Sequence, residues 1–337
     1  MLEDARRDVN LEWRPAAGLE MIRLRARVVA RLRLFFARHG VLEVDTPALS
    51  AAAATDPHVH SFTTLYTGPG APRGRTLYLH TSPEFPMKRL LAAGTGSIFQ
   101  LCKVFRDGEA GRLHNPEFTL LEWYRVGFDH HRLMDEVEAL VRETLEGLVN
   151  TLDPAERLSY GEAFQRHAGI DPHTATPATL AKCARRLGIN TPRGMDGQDL
   201  DAWRDLLLTH AVVPRFPAAR PVFVYDYPAS QAALARVRPG EPPIAERFEL
   251  YINGVELANG FHELSDADEQ RRRFAANLAR RRALGVAQVP LDERLLAAIA
   301  GGLPDCSGVA LGVDRLLMLA AGVDAIDQVL AFPWERA

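Results

Sequence analysis

The chain contains 337 residues, of which 47% are hydrophobic and 25% charged, so it can form a sizeable core in one large or two modest domains. Its 40 Lys and Arg residues face 43 Asp and Glu residues, and the net charge of -3 excludes an overall basic field that would hold a long nucleic acid. No run of about 20 apolar residues occurs, and charged residues interrupt the first 20, so neither a membrane-spanning helix nor a signal peptide is expected. These features predict a cytoplasmic protein.

Sequence patterns support neither a zinc ribbon nor a helical zinc motif. The three cysteines lie far apart along the chain, which supports neither a disulfide framework nor a zinc ribbon, so reduced thiols are expected. The pair His262-Glu263 does not continue into a helical zinc motif, because Asp266 occupies the position of the required second histidine.

An amphipathic helix is predicted near the start of the chain, after an N-terminal arm of residues 1–18. Apolar side chains recur there at helical spacing: Leu24, Val28, Leu32, Phe35 and Phe36. Gly40 occupies the place where a left-handed residue would end the helix. Residues 41–47 then indicate a strand that Pro47 terminates, because proline lacks the backbone donor that a strand ladder needs.

Residues 97–105 and 118–124 have the β-branched, aromatic and apolar composition of two strands. Their connection of about a dozen residues is long for a hairpin, and long ordered loops are usually functional. It contains Arg106, Asp107, Glu109, Arg112 and His114. The loop is therefore a candidate part of a functional site.

Helices account for most of the remaining chain. Residues 129–149 form an amphipathic pattern, and residues from about 155 to 218 indicate a helical insertion in which Thr176 and Pro177 suit the start of a helix. Residues 222–227 return to a strand pattern. Residues 265–268 resemble a capping box with Ser265 as the cap of an Arg-rich helix up to residue 282, and residues 290–299 indicate another helix.

Residues 247–260 predict a β-hairpin. Apolar residues alternate along its first strand: Phe248, Leu250 and Ile252. Asn253 and Gly254 suit the two positive φ angles of a type I′ turn. A two-residue turn predicts that Leu250 faces Leu257 across the hairpin.

The other face of this hairpin carries two acids. Glu249 is predicted to lie across from Ala258, and Glu256 across from Tyr251. Diagonal neighbours of this kind lie roughly 7 Å apart, so the two carboxylates could bracket one divalent cation. From the hairpin alone, a solvated polar sheet face is the preferred interpretation.

Residues 308–315, with the sequence GVALGVDR, indicate a strand that runs into an apolar helical stretch at residues 316–321. Glycines within a strand let a ligand approach the backbone closely. This segment is a second candidate for ligand contact.

Three segments together resemble the signature motifs of class II aminoacyl-tRNA synthetases, in the correct order and over nearly the whole chain. They are GVLEVDTP at 40–47, FRD at 105–107 through HNPEF at 114–118, and GVALGVDR at 308–315. Resemblance to the lysyl type comes from TSPE at 81–84, from HNPEF with Glu122 and Tyr124, and from FEL at 248–250 through GFHEL at 260–264. The resemblance implies an α+β fold with a six-stranded antiparallel sheet flanked by helices, and a homodimer formed through the first-signature helix and strand.

Residues 19–337 resemble the catalytic domain alone, because too few residues precede them for the anticodon-binding domain of a lysyl-tRNA synthetase. The chain therefore resembles the family of ligases that attach (R)-β-lysine to elongation factor P, which are paralogues of that synthetase. Ala310 favours this family, since lysyl-tRNA synthetases have glycine there and the added methyl would reshape the amine pocket. The resemblance implies ATP-dependent activation of (R)-β-lysine as an adenylate and its transfer to a lysine side chain of elongation factor P, with no tRNA substrate expected.

Two alternatives stay open on the sequence alone. One is a truncated lysyl-tRNA synthetase-like enzyme that charges tRNA, and the other is a non-catalytic paralogue that binds lysine or RNA as a regulator. Gly108 favours the second, because lysyl synthetases have glutamate at that position. Asp107 or Glu109 could supply the missing acid contact to ATP.

The resemblance also implies the residues of the site. Arg106 and Arg315 would be catalytic, with Arg106 on the α-phosphate and the substrate carboxylate and Arg315 on the γ-phosphate and adenine. Further ATP-binding residues would be Asp107, Gly108, His114, Phe118, Glu256, Leu257 and Gly312, with Phe118 stacked on the base. Glu249 and Glu256 would hold Mg²⁺ at the phosphates.

The substrate pocket implied by the resemblance needs acids for two amino groups. Its residues would be Ser82, Pro83, Glu84, Tyr124, Asn259, Glu263 and Ala310. Glu84 would bind one amino group, and Glu263 with Tyr124 would bind the distal ammonium. Either glutamate could instead be paired with a structural arginine, as buried acids often are.

Overall fold

The computed structural model describes residues 13–218 and 220–337, which form an α+β fold of two sheets with flanking helices. The helices are α1 Leu19–Arg38, α2 Glu84–Ala92, α3 His130–Leu145, α4 Tyr160–Ala168, α5 Pro177–Arg186, α6 Leu200–Leu207, α7 Ala267–Ala283, α8 Glu293–Ala300 and α9 Val313–Ala321. The strands are β1 Leu42–Glu43, β2 Leu49–Ser50, β3 Thr63–Tyr66, β4 Arg75–Leu79, β5 Ile98–Phe105, β6 Glu117–Val126, β7 Glu156–Ser159, β8 Val222–Pro228, β9 Val237–Arg238, β10 Ile244–Ile252, β11 Val255–His262 and β12 Cys306–Gly312. Short helical turns cover Leu208–Val212, Val213–Arg215, Ala229–Gln231, Ile326–Val329 and Trp334–Arg336. In this described part of the chain, no helix has both the length and the apolar character that crossing a membrane requires.

The larger sheet has nine strands in the order β1-β5-β6-β12-β11-β10-β8-β7, with β9 paired to β10. Its six central strands, from β5 to β8 in this order, are antiparallel, whereas β1 and β7 pair in parallel with their neighbours. The predicted six-stranded antiparallel sheet is therefore right for the centre and wrong for the whole. The additional strands have 2, 4 and 2 residues, too few to produce a readable hydrophobic period.

The first predicted helix is confirmed as α1, and Gly40 follows it with φ of +64°. Phe36 of this helix stacks on Phe99 of β5, with ring centroids 4.4 Å apart. The strand predicted over residues 41–47 is wrong for most of its length, since only Leu42–Glu43 pair with β5. After these two residues the chain leaves the larger sheet to reach β2 of the smaller one, which has the order β2-β4-β3.

Three hydrophobic clusters hold the elements together. α1, α3 and α9 cover one face of the larger sheet and enclose a core that contains Trp123 and Phe248. α2, α7 and α8 pack around Phe274 and Leu295 beside Tyr124. The third cluster lies in the segment predicted as a helical insertion, where α4, α5 and α6 pack on β7, β8 and β10. The central strands are thus fixed from several sides.

Two helix starts test the capping predictions. Thr176 caps α5, with Pro177 as its first residue, as predicted. The cap of α7 is Asp266, which accepts hydrogen bonds from the amides of Asp268 and Glu269. The predicted capping box at Ser265 is therefore wrong. An aspartate one residue later satisfies the free amides of the first turn equally well.

The hairpin of β10 and β11 turns at Asn253 and Gly254 with φ of +53° and +71°, as predicted. The predicted pairing of Glu256 with Tyr251 is confirmed. A β-bulge then shifts the register, so that Leu250 lies opposite Ala258 and not Leu257. A bulge adds one unpaired residue to a strand, and the sequence carries no mark of it at this place.

The same bulge corrects the predicted position of Glu249. This residue lies opposite Asn259, one residue beyond the predicted Ala258. The side chains of Glu249 and Asn259 approach each other, with 3.5 Å between the Asn259 Nδ2 and a carboxylate oxygen. The bulge therefore brings two residues of the implied site into contact.

Candidate active site

A cavity of about 510 Å³ opens on the face of the larger sheet opposite to the α1, α3 and α9 core. The structure brings most of the predicted site residues into its wall: Ser82, Glu84, Arg106, His114, Phe118, Tyr124, Glu256, Leu257, Asn259, Glu263, Ala310, Gly312 and Arg315. They come from the loop between β5 and β6, from strands β6, β11 and β12, and from the start of α2 and α9. Segments far apart in the chain therefore meet at one concave surface, as a ligand site requires.

Four predicted site residues do not line this cavity: Pro83, Asp107, Gly108 and Glu249. Pro83 immediately precedes α2 and places Glu84 at its start. Asp107 and Gly108 are exposed on the loop, with Gly108 at φ of +81°. A residue with a side chain would be strained in that conformation, so glycine suits this loop better than the glutamate of lysyl synthetases.

Arg315 lies at one end of the cavity and is held by three contacts. Its guanidinium donates to the backbone carbonyl of Glu256 at 2.8 Å and lies 2.9 Å from Nε2 of His114. Burial and the neighbouring Arg315 lower the pKa of His114, which favours a neutral ring that accepts this hydrogen bond. The carboxylate of Glu256 lies 3.7 Å from Arg315. The arginine is thus oriented before any ligand arrives.

Arg106 also lines the cavity, with its guanidinium 5.0 Å from the centre of the Phe118 ring. Its Nη1 is 3.7 Å from the Glu109 carboxylate, which also lines the cavity. Asp107 does not reach the cavity wall. Of the two acids that could replace the missing glutamate at Gly108, the geometry therefore favours Glu109.

Glu249 is buried beneath the cavity. One carboxylate oxygen accepts hydrogen bonds from the hydroxyls of Tyr227 and Tyr251, and the other contacts Arg247. Glu256 is different, because its side chain is partly buried and still 41% exposed. Burial, followed by the charge of Glu249, raises the pKa of Glu256. Glu256 has a free edge for a cation, whereas Glu249 would have to exchange a present partner.

The amine end of the cavity contains a lysine that the sequence interpretation missed. Lys88 is completely buried, and its ammonium lies 2.6 Å from Glu84 and 2.6 Å from Glu263. The two glutamates predicted to bind the substrate are thus joined by an internal cation and not by the arginine considered above. The spacing of four residues from Glu84 to Lys88 on one helix face was the signal that could have identified this pair.

Glu122 is a second residue that was not predicted as part of the site. Its carboxylate accepts hydrogen bonds from Ser82 at 2.6 Å and from the Tyr124 hydroxyl at 2.7 Å. Tyr124 is thus oriented by Glu122, while its ring and Glu263 both lie beside Gly308, so their predicted joint binding of the distal ammonium stays a prediction. Burial, together with the charge of Glu84, raises the pKa of Glu122 to about 8. Burial also raises the pKa of Glu263 to about 7, although Lys88 opposes this change.

The residues of β12 form the floor between the two ends. Gly308, Ala310 and Gly312 alternate along this strand and all line the cavity. A Cβ atom at Gly308 would lie 2.3 Å from the Tyr124 ring and 2.6 Å from Glu263, so only glycine fits. Ala310 pairs with Glu122 on one side and Asn259 on the other. Its methyl group therefore stands between the residues that would meet the two ends of a small substrate.

Known proteins match this chain along nearly its whole length. The model of the family described as tRNA synthetases class II (D, K and N) matches residues 5–336. A protein of Vibrio cholerae serotype O1 named elongation factor P–(R)-β-lysine ligase is 50% identical over 328 residues, which cover 97% of this chain and 99% of that protein. A protein of the same name from Klebsiella pneumoniae subsp. pneumoniae is 51% identical over 325 residues, or 96% of this chain and 98% of that protein. With the arginines, glutamates and glycine-containing strand gathered at one cavity, this chain belongs to the class II tRNA synthetase family, in the branch of the elongation factor P–(R)-β-lysine ligases.

Proposed function

We propose that this chain is an ATP-dependent, AMP-forming ligase that activates (R)-β-lysine and transfers it to a lysine side chain of elongation factor P. The observation that carries the proposal is the 50% identity to the Vibrio cholerae ligase, which extends over 97% of this chain and 99% of that relative. The match therefore spans nearly the whole of both chains, not an isolated motif.

The charges at the amine end support a diamino acid as the substrate. Glu84 and Glu263 share a single internal cation, Lys88, and both of their charges act on a third acid, Glu122. When all three acids are ionised, two negative charges remain, and a lysine isomer brings two ammonium groups. The raised pKa values of Glu122 and Glu263 mark the cost of keeping these acids ionised without the substrate.

Activation joins the substrate carboxylate to the α-phosphorus of ATP and breaks the bond to pyrophosphate. Arg106 and Arg315 both line the cavity and both act on the charge of Glu256, so together they can hold the phosphates and the carboxylate and neutralise their charge. Phe118, below the Arg106 guanidinium, offers an aromatic face for the base. In the transfer step, the ε-amine of the acceptor lysine attacks the carbonyl carbon of the adenylate, AMP leaves, and an amide forms with loss of the amine proton.

Mg²⁺ is part of the proposal, and the two carboxylates that would bind it are not equally available. Glu256 and Glu249 would hold it, since oxygen ligands are what Mg²⁺ prefers. When bound, the ion would neutralise part of the phosphate charge. Glu256 presents a partly exposed carboxylate, while Glu249 is engaged by Tyr227, Tyr251 and Arg247.

The assembly and location of the protein belong to the same proposal. Large apolar side chains are exposed on α1 and the segment after it: Leu19, Ile22, Leu34, Leu42 and Leu49. A row of this kind suits a partner surface, so we propose a homodimer formed through the first-signature helix and strand. Residues 19–337 would be the catalytic domain of each subunit, which would act in the cytoplasm.

ATP–pyrophosphate exchange with (R)-β-lysine and α-lysine in parallel tests the activation step. We expect faster exchange with (R)-β-lysine. Purified elongation factor P and lysine tRNA are then offered as acceptors for the activated group. Amide formation on elongation factor P supports the proposal, whereas charging of tRNA alone favours the truncated synthetase. No exchange with either amino acid favours the non-catalytic regulator.

A further inference from the structure

A second cluster of metal-type ligands lies outside the candidate active site, on the covered face of the larger sheet. Its members are His130 at the start of α3, Asp226 in β8, Glu246 in β10 and His262 at the end of β11. The ligand atoms of His130, Glu246 and His262 lie within 4.8 Å of one another. Glu246 lies two and four residues before the core residues Phe248 and Leu250 on β10. It therefore shares their face of the sheet, which is turned away from the cavity.

His130 lacks the hydrogen bonds that a buried imidazole needs. It is 2% exposed, and neither ring nitrogen has a hydrogen-bond partner among the described residues. Its Nε2 lies 3.5 Å from Oδ1 of Asp226, an oxygen that is equally without a well-aligned partner. Buried polar atoms without partners are unfavourable, and a cation between these two atoms would satisfy both.

Arg238 orients the two carboxylates of the cluster. It donates to Oδ2 of Asp226 at 2.7 Å and to Oε1 of Glu246 at 3.3 Å. Each carboxylate thus accepts a hydrogen bond from the guanidinium through one oxygen and has its other oxygen next to an imidazole. For Glu246, the inward Oε2 lies 2.6 Å from Nδ1 of His262.

His262 has a carboxylate oxygen at both ring nitrogens. Its Nε2 lies 3.0 Å from Oδ1 of Asp305, and metal-binding histidines commonly donate their second N–H to such a carboxylate. That hydrogen bond leaves a lone pair on Nδ1, directed at the negatively charged Glu246. At 2.6 Å this contact is a hydrogen bond, so a metal ion with bonds of about 2.0 Å to both atoms would replace the proton and move the two side chains slightly apart.

We propose that these four side chains bind one divalent cation of the Zn²⁺ class. The three residues already gathered within 4.8 Å would bind through Nε2 of His130, Oε2 of Glu246 and Nδ1 of His262. Oδ1 of Asp226, 3.5 Å from Nε2 of His130, would move toward the ion as the fourth ligand. Two nitrogens and two oxygens suit four-coordinate Zn²⁺, whereas Mg²⁺ prefers oxygen ligands alone. A proton on His262 would satisfy only Glu246, and the unpartnered atoms of His130 and Asp226 favour the metal.

The site would fix the sheet directly behind the amine pocket. His262 immediately precedes Glu263, whose side chain binds Lys88 on the cavity side. A metal held there would join α3, β8, β10 and β11 at a single point. It would act by fixing the fold, because the sheet separates it from the substrate.

The first test uses metal-free full-length protein, prepared with a chelator and titrated with Zn²⁺ alone. We expect one Zn²⁺ per chain and a higher thermal unfolding temperature. Co²⁺ is the spectroscopic probe, with intense visible bands expected for a four-coordinate site. The Glu256→Gln variant is titrated in parallel, because it removes a carboxylate of the candidate ATP site, and it should bind Zn²⁺ like the wild type.

Two further variants assign the bound ion to this cluster. His130→Ala and Glu246→Gln should each weaken Zn²⁺ binding at least about 100-fold, and Asp305→Asn should weaken it roughly 10- to 100-fold by freeing the His262 ring. His210→Ala is the control, since His210 is an exposed histidine in the turn Leu208–Val212 and is not part of this cluster. The proposal is wrong if the wild type binds no Zn²⁺, or if His130→Ala and Glu246→Gln both bind it as tightly as the wild type. Far-ultraviolet circular dichroism confirms that each variant is folded, and the wild-type titration stands even where a variant is not.

Discussion

The two ends of the candidate active site are built from different kinds of charge. At the nucleotide end, Arg106 and Arg315 carry guanidiniums that stay charged at any working pH. At the amine end, Glu122 and Glu263 are buried carboxylates whose pKa values are raised to about 8 and about 7. The charge of the first end is permanent, while the charge of the second depends on pH and on the substrate.

The difference follows from what each end has to bind. Phosphates arrive with their own permanent charge and spread it over many oxygens, so partly exposed arginines such as Arg315 suffice. An ammonium group in a closed pocket needs a buried acid, and burial of an acid is unfavourable until a cation is present. Lys88 offsets part of that cost in the empty pocket. Changes at the nucleotide end should therefore affect all substrates alike, and changes at the amine end should affect the preference between them.

The largest expected effect is at the nucleotide end. Arg106→Ala removes a guanidinium from the wall of the cavity without breaking a strong internal hydrogen bond, since its contact to the backbone carbonyl of Thr81 spans 3.4 Å. We expect ATP–pyrophosphate exchange to fall roughly 100- to 1,000-fold, because preorganised charge at a transition state is worth that much. The factor should be the same for (R)-β-lysine and α-lysine.

Arg112→Ala is the matched control for this substitution. Arg112 lies on the same loop, but its guanidinium donates to the backbone carbonyl of Asp324 at 2.7 Å and does not line the cavity. Its removal should leave exchange within about twofold of the wild type. An equal loss in both variants, or a loss in Arg106→Ala for one amino acid only, would contradict the separation of the two ends.

The next effect concerns Lys88 at the amine end. Lys88→Met leaves Glu84 and Glu263 buried beside each other without their shared cation, so the free energy of unfolding should fall by about 3 to 5 kcal/mol. The two acids should then take up protons and bind the ammonium groups less well. We expect a higher KM for (R)-β-lysine with little change in the KM for ATP, measured by exchange kinetics and by denaturant unfolding.

Lys103→Met provides the comparison for a lysine outside the pocket. Lys103 is half-exposed and lies 3.4 Å from Glu117 at the surface. Such pairs contribute about 0 to 1 kcal/mol, so this variant should be nearly as stable as the wild type. If the two lysine variants lose stability equally, the internal ion pair does not have the role assigned to it here.

A smaller effect should appear in the pH dependence of substrate binding. A cationic substrate binds the ionised carboxylates, whereas protons occupy Glu122 below about pH 8 and Glu263 below about pH 7 in the empty pocket. Lowering the pH through this window adds protons that the substrate has to displace, so the KM for (R)-β-lysine should rise on acidification. Each displaced proton contributes about tenfold per pH unit at most. Glu122→Gln should flatten the profile between pH 8 and 7, and an unchanged profile in that variant would contradict the assignment.

Residues whose signal is local were predictable from the sequence. Gly40 ends α1, Thr176 caps α5, and Asn253 with Gly254 makes the hairpin turn, because each of these depends on backbone preferences of a few residues. The class II resemblance added the convergence of distant segments on one cavity. It could do so because motif order carries information about the fold that periodicity alone does not.

Features that depend on tertiary packing were not predictable. The bulge that moves Glu249 opposite Asn259 is one added residue in a strand, and it leaves the hydrophobic pattern intact. Lys88 resembles any helix-surface lysine until three elements close over it. The short parallel strands at the edges owe their pairing to neighbouring strands and not to their own sequence. In the last two cases the elements that bury Lys88 or pair with the edge strands lie elsewhere in the chain.

The smallest expected effect concerns the preference of the amine end between α-lysine and (R)-β-lysine. Ala310→Gly removes the methyl group between Glu122 and Asn259 and should improve the activation of α-lysine relative to (R)-β-lysine. One methyl group in a pocket changes a preference by roughly 10-fold at the lower end of its range, so we expect a shift of about that size in the ratio of exchange rates.

Ala258→Gly is the appropriate control, because Ala258 also lines the cavity but pairs with Leu250 and Leu311, away from the acids. It should lower stability somewhat through backbone flexibility, as any glycine in a strand does, without changing the ratio between the two lysines. A shift in selectivity that is shared by both variants would trace the preference to strand flexibility. A shift confined to Ala310→Gly would locate it at the one methyl group that stands between the carboxylate of Glu122 and the amide of Asn259.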